Sequence, residues 1–183
     1  ADNANDPEVY DWDAINFDNT IWRVSDYGAD KIDGLIWQDV AGFTALSGRI
    51  GNYSLAVNGT SLYVFGANSS GISRNVWNGS AWSGWSSIAS ISNLRYIAAT
   101  SYTTVHYITY DSSTYLWNFG VATYSGSWST ATSDIHWQYP IYGFDAVTLN
   151  GKDVLLFTAS APGNLSAQYI NSQAVKTTIP ACG

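Results

Sequence analysis

The residues best suited to chemistry in this chain are aromatic, and they are crowded. In the string Trp77-Asn78-Gly79-Ser80-Ala81-Trp82-Ser83-Gly84-Trp85 three indoles fall close together, and Arg74 lies just upstream. Tyr115, Trp117, Trp128 and Trp137 continue the series. An indole or phenol ring covers the apolar C–H face of a pyranose and attracts its partial positive charge. Asn, Ser and Arg side chains beside it hydrogen-bond the hydroxyls. Neither partner needs net charge. Arg74, Trp77, Trp82, Trp85, Tyr115, Trp117, Trp128 and Trp137 are therefore the candidate contacts for a sugar. Each Trp also has a plain structural use as packing between sheets. Positions three apart on a strand face opposite sides, so at most one of Trp82 and Trp85 is expected in a given pocket. Trp77 and Trp85 are expected as neighbours across the Asn78-Gly79 turn.

Other chemistries have less behind them. Asp2, Asp6, Glu8, Asp11, Asp13 and Asp18 could give oxygens to Ca²⁺, but no Asp-x-Asp-x-Asp-Gly loop is present. The same carboxylates could serve glycoside hydrolysis, the alternative reading, which needs two carboxyl groups and one raised pKa. The chain has a single Glu, at position 8, and acids are scarce beyond residue 39. The expectation is a solvated acidic surface, with no cofactor and no catalysis. His106 and His136 stand without a Gly-x-Ser-x-Gly elbow or a zinc ligand set, and read as packing or edge residues.

Charge separates the chain in two. Ten of the 14 Asp and Glu fall in the first 39 residues, although the whole chain of 183 carries only −7. The remainder is nearly neutral and rich in Ser, Thr, Trp and Tyr. Seven Lys and Arg are too few for nucleic acid. With 15% aromatic and 11% charged residues, disorder is excluded and a helical bundle disfavoured.

The elements that must position these rings read as strands. Ser61–Phe65, Val105–Tyr110 and Asp153–Thr158 are short and rich in β-branched or aromatic residues. Asn58-Gly59, Asn78-Gly79 and Asn150-Gly151 suit type I′ hairpin turns. Landmarks recur: Phe65, Tyr110 and Phe157 are 45 and 47 apart, Trp82 and Trp128 are 46 apart, and Trp37 and Trp137 lie 100 apart. A weaker copy runs from Ile15 to Trp37, with Thr20–Val24 as its second strand. A period near 46 residues holding four strands is one propeller blade. The expectation is one all-β domain over 1–183, a β-propeller of about four blades, with 1–39 as a first, atypical blade. The alternative architecture is a β-sandwich.

With its upstream strands, the Trp77–Trp85 string resembles the repeat of the β-propeller lectins of the Psathyrella type, and more loosely the tectonin-like lectins. Those repeats end in Asp/Asn-Gly-x-x-Trp-x-x-Trp. The resemblance is good over about residues 54–88 and partial over 96–131. It implies sugar binding in pockets between neighbouring blades, one per blade pair, with glycans or glycoproteins as partners. The chain is shorter than those rings, so either it forms a small ring alone or a second chain or oligomer completes a larger one. A third reading makes the protein structural or immunomodulatory, with every aromatic in the core.

Secretion is the expected localisation. The chain has no Met, even at position 1, which fits a removed signal peptide. No run of 18 apolar residues exists, so no membrane insertion is expected. Asn-x-Ser/Thr sequons stand at Asn52, Asn58, Asn68, Asn78 and Asn164, candidate glycosylation sites. Cys182 is the only cysteine, so a disulfide would need another chain.

Overall fold

The structure, a computed structural model, describes residues 13–161, 164–171 and 176–179, with side chains as far as residue 159 save that of Ile135. Sixteen strands make four antiparallel sheets, each from four consecutive strands in chain order. The first holds β1 (Asp13–Phe17), β2 (Thr20–Ser25), β3 (Gly28–Asp33) and β4 (Ile36–Asp39). The second holds β5 (Arg49–Asn58), β6 (Ser61–Asn68), β7 (Gly71–Trp77) and β8 (Ser86–Ala89). The third holds β9 (Leu94–Ser101), β10 (Thr104–Asp111), β11 (Leu116–Tyr124) and β12 (Trp128–Trp137). The fourth holds β13 (Ile141–Leu149), β14 (Lys152–Ala161), β15 (Asn164–Asn171) and β16 (Lys176–Ile179). The fold is all-β with propeller-like blades, and the 45- and 47-residue spacing of Phe65, Tyr110 and Phe157 matches the first strands of the last three sheets, which begin at Arg49, Leu94 and Ile141. Trp37 and Trp137 both sit on a fourth strand, β4 and β12.

Three seams between successive sheets carry the core. Phe17, Trp22, Val24 and Ala29 meet Tyr53, Leu55, Leu62 and Val64 in the first. Ala56, Phe65, Ala67 and Ile72 meet Ile97, Val105, Tyr107 and Ala122 in the second. Ala98, Ile108 and Phe119 meet Ile141, Phe144, Leu155 and Phe157 in the third. Leu55 and Ala56 are adjacent yet serve different seams, because successive side chains of a strand point to opposite faces. A strand buried on both faces reads as a continuous apolar run rather than an alternation. Each fully buried aliphatic or aromatic side chain contributes about 1.5–3 kcal/mol.

Innermost strands are tied across the seams by backbone groups reaching the next sheet's side chains. Leu55 N–H donates to Asp13 Oδ2 at 2.8 Å, and Ala99 N–H to Ser54 Oγ at 2.8 Å. Burial pushes the Asp13 carboxyl up, against the hydrogen bonds from Leu55 and Ala14, and the charge of Asp145 adds to the rise. Among the described residues no core cluster joins the last and first sheets.

The acidic end is thus more than solvated surface. Asp13 is a seam residue. Asp26, in the β2–β3 turn, accepts two hydrogen bonds from Arg49 at 2.6 Å and one from the Tyr53 hydroxyl at 3.1 Å. Asp30 pairs with Arg23 at 2.9 Å. Carboxylates here hold the first sheet to the second. Asp2, Asp6, Glu8 and Asp11 lie outside the described residues.

The turns differ from the expectation in a definite way. Asn150 and Gly151 both have positive φ, 52° and 73°, as a type I′ turn requires. Asn58-Gly59 does not: the register pairs Asn58 with Ser61, so the loop is Gly59-Thr60, and only Gly59 is positive at 58°. Asn78 instead caps a wider loop, its Oδ1 accepting from Ser80 N–H, Ser80 Oγ and Ala81 N–H. The unanticipated I′ turn is Asp18-Asn19, at 52° and 58°, built without glycine.

Candidate functional site

In the first three sheets the third residue of the second strand points toward the next sheet. Counting from the hairpin pairs Phe17↔Thr20, Asn58↔Ser61 and Ser101↔Thr104, it is Trp22, Tyr63 and His106. Trp22 meets Trp77 of the second sheet with ring centroids 5.8 Å apart. Tyr63 meets Tyr102 of the third at 5.3 Å. His106 Nε2 meets Asp153 Oδ2 of the fourth at 2.8 Å. These contacts also put the β1–β2, β5–β6, β9–β10 and β13–β14 turns at one common end of the molecule. The three seams therefore present an indole pair, a phenol pair and an imidazole–carboxylate hydrogen bond at equivalent places.

At the first seam a cavity of about 300 Å³ opens, lined by Phe17, Asp18, Trp22, Lys31, Gly59, Thr60, Trp77 and Gly79. The Asp18-Asn19 turn and the Gly59-Thr60 turn form its two lips. Trp22 is 3% exposed and packs edge-on against Phe17 at 5.5 Å. Its Nε1 is buried without a protein partner among the described residues. Lys31 Nζ lies 6.0 Å from the Trp22 ring centroid, the outer limit of a cation–π contact. Two indoles, a carboxylate, an ammonium and a hydroxyl thus converge on one concave space. The cavity is at the low end of ligand pockets, roughly 300–1,000 Å³, the scale of a terminal sugar unit.

The sequence candidates distribute unevenly around this space. Trp77 lines it. Trp82 packs on Trp77 at 5.4 Å and on Phe43 at 5.0 Å, behind the cavity wall. Trp85 stacks on Tyr53 at 5.8 Å and 17°, and its Nε1 donates to the Thr44 carbonyl at 2.6 Å. Its polar atom and one face serve the fold. Trp82 and Trp85 both touch Phe43, contrary to the alternation expected of a strand, because residues 78–85 are a loop with one isolated bridge, Trp77↔Trp82. That bridge also makes Trp82, not Trp85, the neighbour of Trp77.

Arg74 lies at the second seam, its guanidinium 5.7 Å over Tyr63. Trp128 packs there on Phe65 at 6.2 Å and on Tyr124 at 5.5 Å. Trp117 sits between Tyr96 and Tyr110 and opposite Trp137 in register. Tyr115 is 70% exposed with φ 59°, at a turn held by Asp111. Hydrogen bonds from Ser113 and Thr114 lower Asp111 to about 2. Trp137 packs on Phe157 and lines a second cavity, described below.

Among the sequons, Asn58 and Asn78 are exposed, Asn52 and Asn68 are half-buried, and the Asn164 side chain lies outside the described residues. Cys182 lies outside them too. His106 belongs to a network: Thr100 Oγ1 donates to Asp153 Oδ2 at 2.9 Å and Thr148 Oγ1 to Asp153 Oδ1 at 2.7 Å. Burial would raise Asp153, but the hydrogen bonds from Thr148, His106 and Thr100 outweigh it and hold the carboxyl low. Asp13 has the raised pKa of an acid catalyst, yet both its oxygens accept backbone N–H groups and it lines neither cavity. Among the described residues no three His, Cys, Asp or Glu side chains gather for a metal.

Sequence reasoning missed Phe17, Trp22, Lys31 and Thr60, and named Asp18 only as a carboxylate for Ca²⁺ or glycoside hydrolysis. The available signal was the Phe17-Asp18-Asn19-Thr20 turn, with Trp22 two residues beyond it. No family model matches the chain, and no curated protein sequence matches it. What fold and site define is an all-β protein of four antiparallel sheets with an aromatic cavity at its first seam.

Proposed function

We propose that this protein binds carbohydrate, without catalysis, through the cavity at the first seam. The observation that carries the reading is the pairing of Trp22 and Trp77 beside Asp18, Lys31 and Thr60 around one concave space. In this reading an indole face covers the C–H side of a sugar ring. Asp18 and Lys31 form charge-assisted hydrogen bonds to hydroxyls, which are stronger than neutral ones.

The reading sets the chain beside the propeller lectins of the Psathyrella type, on the strength of the Asn78-Gly79-x-x-Trp82-x-x-Trp85 ending. Its partners would be glycans or glycoproteins, met outside the cell. The experiment is titration calorimetry of the full chain against sugars drawn from a glycan array. Binding weakened about tenfold by Lys31→Met and by Asp18→Asn supports the site. No binding to any glycan would sink it and favour a purely structural protein.

A further inference from the structure

We infer that the chain carries a second saccharide site, for a neutral sugar, at the third seam and at the opposite end of the molecule. It extends the carbohydrate reading to a separate cavity. That cavity, of about 360 Å³, is lined by Leu116, His136, Trp137, Gln138 and Tyr139. Leu116 follows the β10–β11 turn and Trp137 ends β12, whereas the first cavity lies between the β1–β2 and β5–β6 turns and the end of β7. Strand direction reverses at each hairpin, so the β10–β11 turn and the end of a fourth strand lie at the end away from those first turns. The two cavities therefore face in opposite directions.

The lining dictates the ligand. Among the described residues it holds no Asp, Glu, Lys or Arg, so none of them supplies a carboxylate, ammonium or guanidinium to an ionic group. It does hold an amide, an imidazole and a phenol, which together donate and accept hydrogen bonds. The indole supplies the apolar platform. Trp137 is held edge-on by Phe157 at 5.5 Å and by Tyr139 at 5.9 Å, so the platform is fixed before a ligand arrives. His136 and Gln138 are exposed, free to reach hydroxyls at the rim. An uncharged polyhydroxylated ring with one apolar face fits that set.

Two sites facing apart change what one chain can do. A single chain bridges two glycan-bearing surfaces, and avidity then exceeds either site's affinity. The first cavity, with Asp18 and Lys31, has a different charge pattern, so the two sites select different sugars.

The test follows the indole N–H signals of the full chain by NMR during titration with neutral mono- and disaccharides. The variants are Gln138→Ala and His136→Ala, both exposed positions outside the core, and Lys31→Met at the first cavity. The expected result is a shift of the Trp137 indole signal by at least one neutral sugar. Affinity falls about tenfold in Gln138→Ala and stays within about twofold in Lys31→Met. Shifts confined to the Trp22 and Trp77 indoles, unaffected by Gln138→Ala, would overturn the second site and leave the first standing. A Trp137 shift alone would uphold the second site and show that the first does not take these neutral sugars. No shift with any neutral sugar overturns the second site outright.

Discussion

Trp22 on β2 and Trp77 on β7 face each other across the first seam, their ring centroids 5.8 Å apart and their planes inclined by 46°. One is buried at 3% exposure and the other half-buried, so the pair joins the core to the cavity. Trp22→Ala should cost about 3–5 kcal/mol, the usual range for deleting a buried aromatic ring. Trp77→Ala should cost clearly less and act mainly on ligand binding. Urea unfolding at constant slope measures both. Equal losses in the two variants would show that Trp77 is only core.

Tyr53 is the second case where one side chain serves two sheets. Its hydroxyl accepts from Leu46 N–H at 3.0 Å and donates to Asp26 at 3.1 Å. Burial, first, pushes its pKa up to about 12, and the Asp26 charge adds to this. Because the folded value is raised, the neutral phenol stabilises the fold fully below the ordinary tyrosine value near 10, and the contribution is lost as pH rises through about 12. Ultraviolet titration should show one late phenol step that Tyr53→Phe removes. A normal value for every tyrosine would contradict the arrangement.

Asp153 makes the opposite prediction in pH. Its folded pKa is lowered, so the stability it contributes is present above about pH 4 and is lost as pH falls through the folded value. Removing the acceptor leaves Thr100, Thr148 and His106 without it. Asp153→Ala should cost about 1–3 kcal/mol at neutral pH, measured by unfolding, and should flatten the acid limb of the stability profile. An unchanged acid limb would show that the network carries no net stabilisation.

Gly71 tests the second sheet's backbone. Its φ is +131°, and a Cβ there would lie 2.0 Å from the Ala89 carbonyl oxygen, on the neighbouring strand β8. Gly71→Ala combines backbone strain with a clash against main chain and should cost at least about 2 kcal/mol. Gly59→Ala, where nothing lies within 4 Å, should cost less, from its φ of +58° alone. Thermal unfolding of the two variants side by side measures the difference.

The repeat was legible because it is carried by large residues at fixed spacing. Phe65 fills the second seam and Phe157 the third, while Tyr110 packs on Trp117 within the third sheet, so bulky rings recur with the sheets themselves. Hairpin position was legible at Asn150-Gly151, where the dipeptide is the whole loop. It was not at Asn58-Gly59, where the register moves the loop by one residue and only the glycine turns left-handed. The site was less legible than the fold. A Trp string such as Trp77–Trp85 looks the same whether its rings face a ligand or one another. What separates Trp77 from Trp85 is long-range: Trp85 finds Tyr53 and the Thr44 carbonyl, contacts no local spacing specifies. Trp22 and Lys31 lie in a segment without a Trp-x-x-Trp string, and Trp22 reaches Trp77 only through the packing of two sheets.

The most direct measurement is a glycan array probed with the wild-type chain beside an Asp18→Asn, Lys31→Met double variant. Both changes spare the fold. Asn accepts the left-handed φ of 52° that Asp18 adopts, and Met keeps an apolar stem beside Trp22. The account predicts a defined set of bound glycans for the wild type and the loss of at least part of that set in the variant. An identical profile for the two chains, or no bound glycan for either, would contradict it.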